Sequence, residues 1–253
     1  MGFIVLPALI PDIRPVYDAY FAAFEADPDG KRLLDILFPD GFTSEEFRAA
    51  HTAATLNWWH TSPTQHTFKC VDLDNGAIIG MALCDVFASP QDAQERKNPG
   101  VGWLEGDRKE RAEKVLNPLW EAREKAFGGK RYIYVHAFAV EPSHQARGAG
   151  AALVKAIVDL GNNSRLPIYL ESSPGSEKLY QRMGFRRLPG EMGKVVHCAE
   201  LLGTEQDVEV PLMMRVPDAA PEDQEREKER AARRAEKHSG VGRASTSVGT
   251  AEA

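Results

Sequence analysis

The stretch AVEPSHQARGAGAALV, residues 139–154, runs from the end of an apolar strand through Pro142 into a loop holding Gly148 and Gly150, and then into a helix. A helix N-terminus leaves several backbone N–H groups without partners, and the helix dipole favours negative charge there. Strand, glycine loop and helix together therefore make an anion site suited to phosphate. The residues after the second glycine narrow the choice. A nucleoside-triphosphate loop needs Lys followed by Ser or Thr, whereas Ala151 and Ala152 follow Gly150. The third glycine of a dinucleotide fingerprint is missing at its spacing, and the loop comes late in the chain instead of after a first strand. Taken alone, the two glycines would equally suit a tight turn.

Working outward, RYIYVHAFAV (131–140) has the near-continuous apolar and β-branched composition of a central strand buried on both faces. Residues 149–160 read as a helix with Leu153, Ile157 and Leu160 on one face, stopped by Gly161-Asn162. A short buried strand at 167–170, a helix at 175–183, a turn at Gly184-Phe185 into a strand, and a last strand at 208–214 follow. Upstream, HTFKCVDL and AIIGMALCDVF flank Asp74-Asn75-Gly76, a hairpin signal. This order predicts an α/β chain with a mixed (α+β) sheet and at least one parallel crossover.

The first quarter reads as helical, with Val16, Tyr20, Ala23 and Phe24 at helical spacing and a capping-box pattern, Thr43 and Glu46, ahead of a helix at 45–60. Residues 89–130 read as an insertion: a polar loop, then a charged helix at 107–127 with Val115, Leu116, Leu119 and Ala126 on one side. After Pro217 the run EDQEREKERAARRAEKH leads to a Ser/Gly/Thr/Ala-rich end that cannot bury enough surface to offset its ordering entropy. One domain is expected over 1–217 and a charged, flexible tail over 218–253.

Gln145-Ala146-Arg147-Gly148-Ala149-Gly150 resembles the Gln/Arg-x-x-Gly-x-Gly/Ala signature of the GNAT superfamily of acyl-CoA-dependent N-acetyltransferases. Two further elements stand in the family's order: the preceding strand with Phe138-Ala139-Val140, and Leu179-Tyr180 followed by Gly184-Phe185. The core of the resemblance spans 131–188. It implies a GNAT-like fold and acetyl-CoA as cosubstrate, with no metal. The amides of Ala146 to Ala151 would hold the pyrophosphate, the backbone of Phe138, Ala139 and Val140 would pair with the pantetheine arm, and Ser173 and Tyr180 would line the same site.

Acyl transfer to an amine needs a neutral nucleophile, yet an alkylamine with a pKa of about 10.4 arrives protonated at pH 7, so a base is required. An acid is needed for the leaving thiolate. Tyr180 matches the family's general-acid tyrosine, the alternative being a helix residue that packs on Phe185. Strand alternation places Tyr132, Tyr134, His136 and Phe138 on one face and Ile133, Val135, Ala137 and Ala139 on the other. VHAFAV (135–140) is similar to the strand of the arylalkylamine N-acetyltransferases that carries two histidines two residues apart. His136 falls on one of them, and Tyr134 replaces the other. His136 is therefore a candidate base, beside the bland reading of a hydrogen-bonded strand histidine. Glu171 is the second candidate, with Glu105 and Asp85 behind it. Trp58, Trp59, Trp103 and Tyr134 are candidate substrate contacts, although adjacent tryptophans on a helix point different ways.

Length and composition fit this reading. The chain has 253 residues, 43% of them hydrophobic, enough for one good core. A net charge of −6 and a pI near 5.7, without a dense basic patch, argue against nucleic acid. Cys70, Cys84 and Cys198 are too few and too scattered for a disulfide framework or zinc site. No run approaches the roughly 18–20 apolar residues of a membrane span, and the apolar start lacks a basic n-region and is broken by Pro7. A cytoplasmic acetyltransferase acting on a small-molecule amine, as monomer or homodimer, is the expectation. Two alternatives remain at this stage: a protein lysine or N-terminus as acceptor, and a non-catalytic coenzyme A-binding or interaction protein with the same fold.

Overall fold

The computed structural model describes residues 2–96 and 98–218, so the tail expected over 218–253 lies outside the described residues save for Asp218. Strand β1 (Phe3–Pro7) leads into three helices, α1 (Ile13–Ala26), α2 (Pro28–Leu37) and α3 (Glu45–Thr61). The N-cap of α3 is Ser44, one residue beyond the Thr43 of the sequence pattern. Ser44 is extended (φ −65°, ψ 150°), and its hydroxyl accepts the Phe47 N–H at 3.1 Å. The predicted hairpin is β2 (Gln65–Asp72) and β3 (Ile78–Phe87). Between β3 and the central strand β4 (Tyr132–Val140) stand α4 (Pro90–Glu95) and the long α5 (Gly106–Phe127). The chain continues as α6 (Ala149–Ser164), β5 (Ile168–Glu171), α7 (Glu177–Arg182), β6 (Arg186–Arg187), β7 (Lys194–His197), α8 (Ala199–Leu202) and β8 (Val208–Arg215). The short α4, in the stretch read from sequence as a polar loop, and β7 and α8, which sequence patterning does not predict, carry too few residues to show a period.

The strands order as β1-β2-β3-β4-β5-β8-β6, with β7 also pairing β8. The β4–β5 pair is parallel, its crossover is α6, and the other pairs are antiparallel, giving the mixed sheet expected. Helix α6 buries Leu153, Val154 and Ile157 against Ile133, Val135, Ile168 and Leu170 on one face. The opposite face carries two separate apolar patches. Helix α1 covers Met81, Leu83 and Ala139, while Phe127 of α5 packs with Phe87, Tyr132 and Tyr169. Among the described residues no helix is long and apolar enough to cross a membrane.

The even-odd alternation expected along β4 fails at one point. Leu83 faces Ala137 and Cys84 faces Val135, so His136 is an extra residue with no partner on β3, a β-bulge. Before the bulge Ile133 and Val135 point to α6; after it Phe138 and Val140 do, and Ala139 joins the α1 patch. Phe138 therefore does not share a face with Tyr132 and Tyr134. One inserted residue reverses a period-two pattern, and nothing in VHAFAV marks where the insertion falls.

Candidate active site

His136 stands where the α1/α3 patch and the α5 patch meet. Its ring lies 4.3 Å from that of Tyr134 and 6.1 Å from that of Trp58, edge-on to the latter. The bulge frees its side chain from the ladder, and Nε2 meets Asp85 Oδ2 at 2.6 Å. Asp85 also accepts a hydrogen bond from the Thr64 hydroxyl at 2.8 Å. Burial pushes the Asp85 carboxyl up, but the hydrogen bonds from His136 and Thr64 and the charge of His136 outweigh it and hold the group below its ordinary 3.8. An ionised carboxylate only accepts, so Nε2 donates to Asp85, and whenever the ring is neutral it is Nδ1 that holds the lone pair.

Glu171, at the end of β5, is arranged otherwise. The Tyr134 hydroxyl donates to Glu171 Oε2 at 2.8 Å, and Oε1 is buried without a partner among the described residues. Burial pushes the Glu171 carboxyl up, against the pull of Arg123, Tyr134, Tyr169 and His136. Tyr134 is thus turned toward Glu171, and burial raises its own phenol as well.

The 139–154 stretch forms the loop-helix junction its composition predicts. Gly148 caps α6 at φ +100°, with open space where a Cβ would stand, and Ala146 also adopts a positive φ of 57°. Alternation of this kind turns successive N–H groups into one concavity. Ala152 donates to the Gly148 carbonyl at 3.0 Å and begins the helical ladder, so the amides of Gly148, Ala149, Gly150 and Ala151 stand at the open start of the helix. Gln145 ties the loop to β4 through its side-chain amide and the Val140 carbonyl at 2.9 Å, and Arg147 pairs with the buried Asp72 at 3.6 Å.

Strand β4 pairs with β5 only from Ile133 to Val135. Only Glu171 of β5 lies beyond that, paired with β8, and from His136 to Val140 the same edge of β4 has no strand partner among the described residues. Tyr180 of α7 packs at this opening, its ring 5.8 Å from Phe138 and 5.8 Å from Phe185. The residue is 8% exposed, burial pushes its phenol up, and its hydroxyl has no hydrogen bond among the described residues. Ser173, in the loop before α7, is exposed and donates to Ser176 Oγ at 3.0 Å.

The structure thus brings His136, Asp85, Tyr134, Glu171 and Trp58 together on one side of the opening, with Tyr180 and the Gly148 loop on the α6 side. Trp59 packs into the α1/α3 patch, and Trp103 stacks on Phe38 and donates its indole N–H to the Leu37 carbonyl at 2.8 Å. Glu105 precedes the first residue of α5 as its N-cap. Sequence reasoning ranks Asp85 below Glu171 and passes over Thr64 and Arg123. Only the β3–β4 register reveals Asp85, and the residues between those strands hide it from any local pattern.

The profile of the acetyltransferase (GNAT) family matches residues 30–185, and the chain belongs to that family. It is 33% identical over 125 residues to probable acyltransferase SID5 of Ajellomyces capsulatus, covering 49% of this chain and 84% of that protein. Its fold is similar to that of the mosquito arylalkylamine N-acetyltransferase like 5b, with a TM-score of 0.56 at 14% identity over 85% of this chain and all of that one (100%). It is also similar to a GNAT superfamily phosphinothricin acetyltransferase from Sinorhizobium meliloti, solved in complex with AcCoA, with a TM-score of 0.50 at 14% identity over 87% of this chain and 91% of the other.

Proposed function

We propose that this acyltransferase moves an acetyl group from acetyl-CoA to a primary amine, that of a small molecule, by direct attack in a ternary complex. The observation that carries the reading is the His136–Asp85 pair, 2.6 Å apart at the bulge, beside the unpaired edge of β4. The residues present fit the cosubstrate: open helix-start amides suit a pyrophosphate, and an unpaired strand edge suits an amide-bearing arm. The amides of Ala146 to Ala151 hold the phosphates, the backbone of Phe138 to Val140 pairs with the pantetheine, and Ser173 and Tyr180 close the far side. Bound there, acetyl-CoA supplies the activated thioester.

Asp85 holds the imidazole so that Nδ1 is the free base, and Nδ1 takes the proton of the incoming ammonium directly or through water. Glu171 yields this role, because its carboxylate is buried and engaged by Tyr134. Tyr180 keeps its proton in the resting site and delivers it to the departing thiolate. With thiols near 8.5 and phenols near 10 the transfer is uphill by about 2 kcal/mol before burial is counted, and the burial that raises the Tyr180 phenol adds to it until the thiolate approaches as a hydrogen-bond acceptor. Trp58, beside His136, walls the acceptor side, and Tyr134 backs it. The arylalkylamine N-acetyltransferase name of one structural relative agrees with a small amine acceptor.

Calorimetric titration of coenzyme A and acetyl-CoA into wild type and Gly148→Glu tests the cofactor half. Micromolar binding lost in the variant is expected, since the new carboxylate faces the proposed pyrophosphate. Thiol release with a panel of amines then tests turnover. Absence of binding to folded wild type overturns the whole reading. Binding without thiol release leaves a coenzyme A-binding protein, and release only with peptides moves the acceptor to a protein lysine or N-terminus.

A further inference from the structure

Arg123 lies on the inner side of α5, in the segment between β3 and β4, and is only 6% exposed. Its guanidinium carbon stands 3.7 Å from the centre of the Tyr134 ring and 4.6 Å from that of Trp120. Tyr134 in turn donates to Glu171 Oε2 at 2.8 Å. Around this contact four buried polar atoms have no partner among the described residues: Arg123 Nε, Glu171 Oε1, and the hydroxyls of Tyr132 and Tyr169. A cationic donor and a carboxyl group are therefore buried against the same Tyr134 side chain, each short of a partner. A buried charge is tolerated only with a compensating one, and removing either partner leaves the other exposed to the full desolvation cost.

We propose that Arg123 is a positioning residue for the acyl-transfer site: it compensates the buried Glu171 carboxylate and clamps the Tyr134 ring against it, and Tyr134 sets the place of the His136 ring. This rests on the acyltransferase reading for its catalytic consequence, while the charge compensation stands without it. The groups that act on Glu171 are Tyr134, which donates to it, with His136 and Tyr132 also from β4, Tyr169 from β5 and Arg123 from α5, and Asp85 of β3 lies beyond His136. Of these, Arg123 alone carries a fixed positive charge. Without it, Glu171 is easier to protonate, the hydrogen bond that Tyr134 donates to it weakens, and the ring beside His136 is free to turn. The guanidinium also favours the ionised form of Asp85, so its removal makes both carboxylates easier to protonate.

Two measurements on the full chain test this. The first is a double-mutant cycle in denaturant with Arg123→Met, Glu171→Gln and both together, at pH 7 and pH 4.5. At pH 7 the double variant should lose less stability than the sum of the two singles, and the cost of Arg123→Met should shrink at pH 4.5 as Glu171 protonates. Strict additivity at both pH values overturns the compensation and with it the proposal, whether or not the protein turns over any amine. The second is the pH profile of kcat/KM for thiol release in wild type, Arg123→Gln and Arg123→Lys. The acid limb should move to higher pH in the glutamine variant and return toward wild type in the lysine variant, which keeps the charge. A uniform fall in rate with an unmoved limb in both variants makes Arg123 a packing residue and overturns the positioning role. Failure of wild type to release thiol with any amine sinks the acyltransferase reading instead and leaves the cycle to decide the pairing.

Discussion

At His136 a single extra residue in β4 lifts an imidazole out of the ladder and sets it 2.6 Å from a carboxylate that is itself held by Thr64. The pair is polarised, because Asp85 only accepts and so commits Nε2 to the proton. Asparagine at position 85 would be isosteric but would offer its NH₂ to Nε2, placing the imidazole proton on Nδ1, where the base is needed. Asp85→Asn should therefore lower kcat by on the order of 10³-fold while coenzyme A affinity, measured by calorimetry, stays within about twofold. An unchanged rate would remove the His136–Asp85 pair from the mechanism. Tyr180 and His136 were legible as residues of interest from their motifs. Asp85 was legible only as a minor candidate, because its partner is chosen by a pairing between strands distant in sequence, and Arg123 carried no signal at all, since a charged residue on a charged helix looks solvent-exposed until the helix is docked.

At the scale of elements, the close approach of β3 and β4 holds both the bulge and the unpaired edge in place. Gly80 permits that approach: a Cβ there would stand 2.5 Å from the Ala139 carbonyl oxygen and 3.3 Å from Val140 Cα, both backbone atoms that cannot swing aside. Gly80→Ala should cost about 1–3 kcal/mol, read from the denaturation midpoint, and should weaken coenzyme A binding by shifting the end of β4. A variant as stable as wild type would show that the strands part without strain. The β2–β3 hairpin, β4, the loop and α6 were all legible, because each announces itself by local pattern: alternation around Asp-Asn-Gly, a β-branched run, paired glycines and an amphipathic face. The bulge was not, since register depends on the partner strand.

For the molecule as a whole, the helical first quarter is joined to the sheet by an aromatic patch with His51 inside it, 4.6 Å from the Tyr17 ring and 5.1 Å from that of Phe21. Burial, helped by the charge of Arg48, pushes His51 down to about 4 from its ordinary 6.5. The unfolded chain therefore binds this proton first as pH falls, and stability contributed by the neutral ring is present above pH 6.5 and lost progressively down to about 4. Because the ring is partly exposed, roughly 1–3 kcal/mol is the expected loss over that range. His51→Phe should flatten this part of the stability curve relative to wild type in urea melts at pH 7, 5.5 and 4.5. Parallel curves for the two proteins would show that His51 titrates freely.

By itself the sequence determined the order of the main strands and helices, the glycine-bearing loop at 145–151 and the family they belong to, because propensity, periodicity and glycine placement are local properties of the chain. Tertiary structure alone decided that His136 bulges, that it meets Asp85 and not Glu171, and that Arg123 turns inward beneath Tyr134. Each of those depends on register and docking between segments far apart in the chain, where the energy lies in burial and charge pairing that no single segment contains.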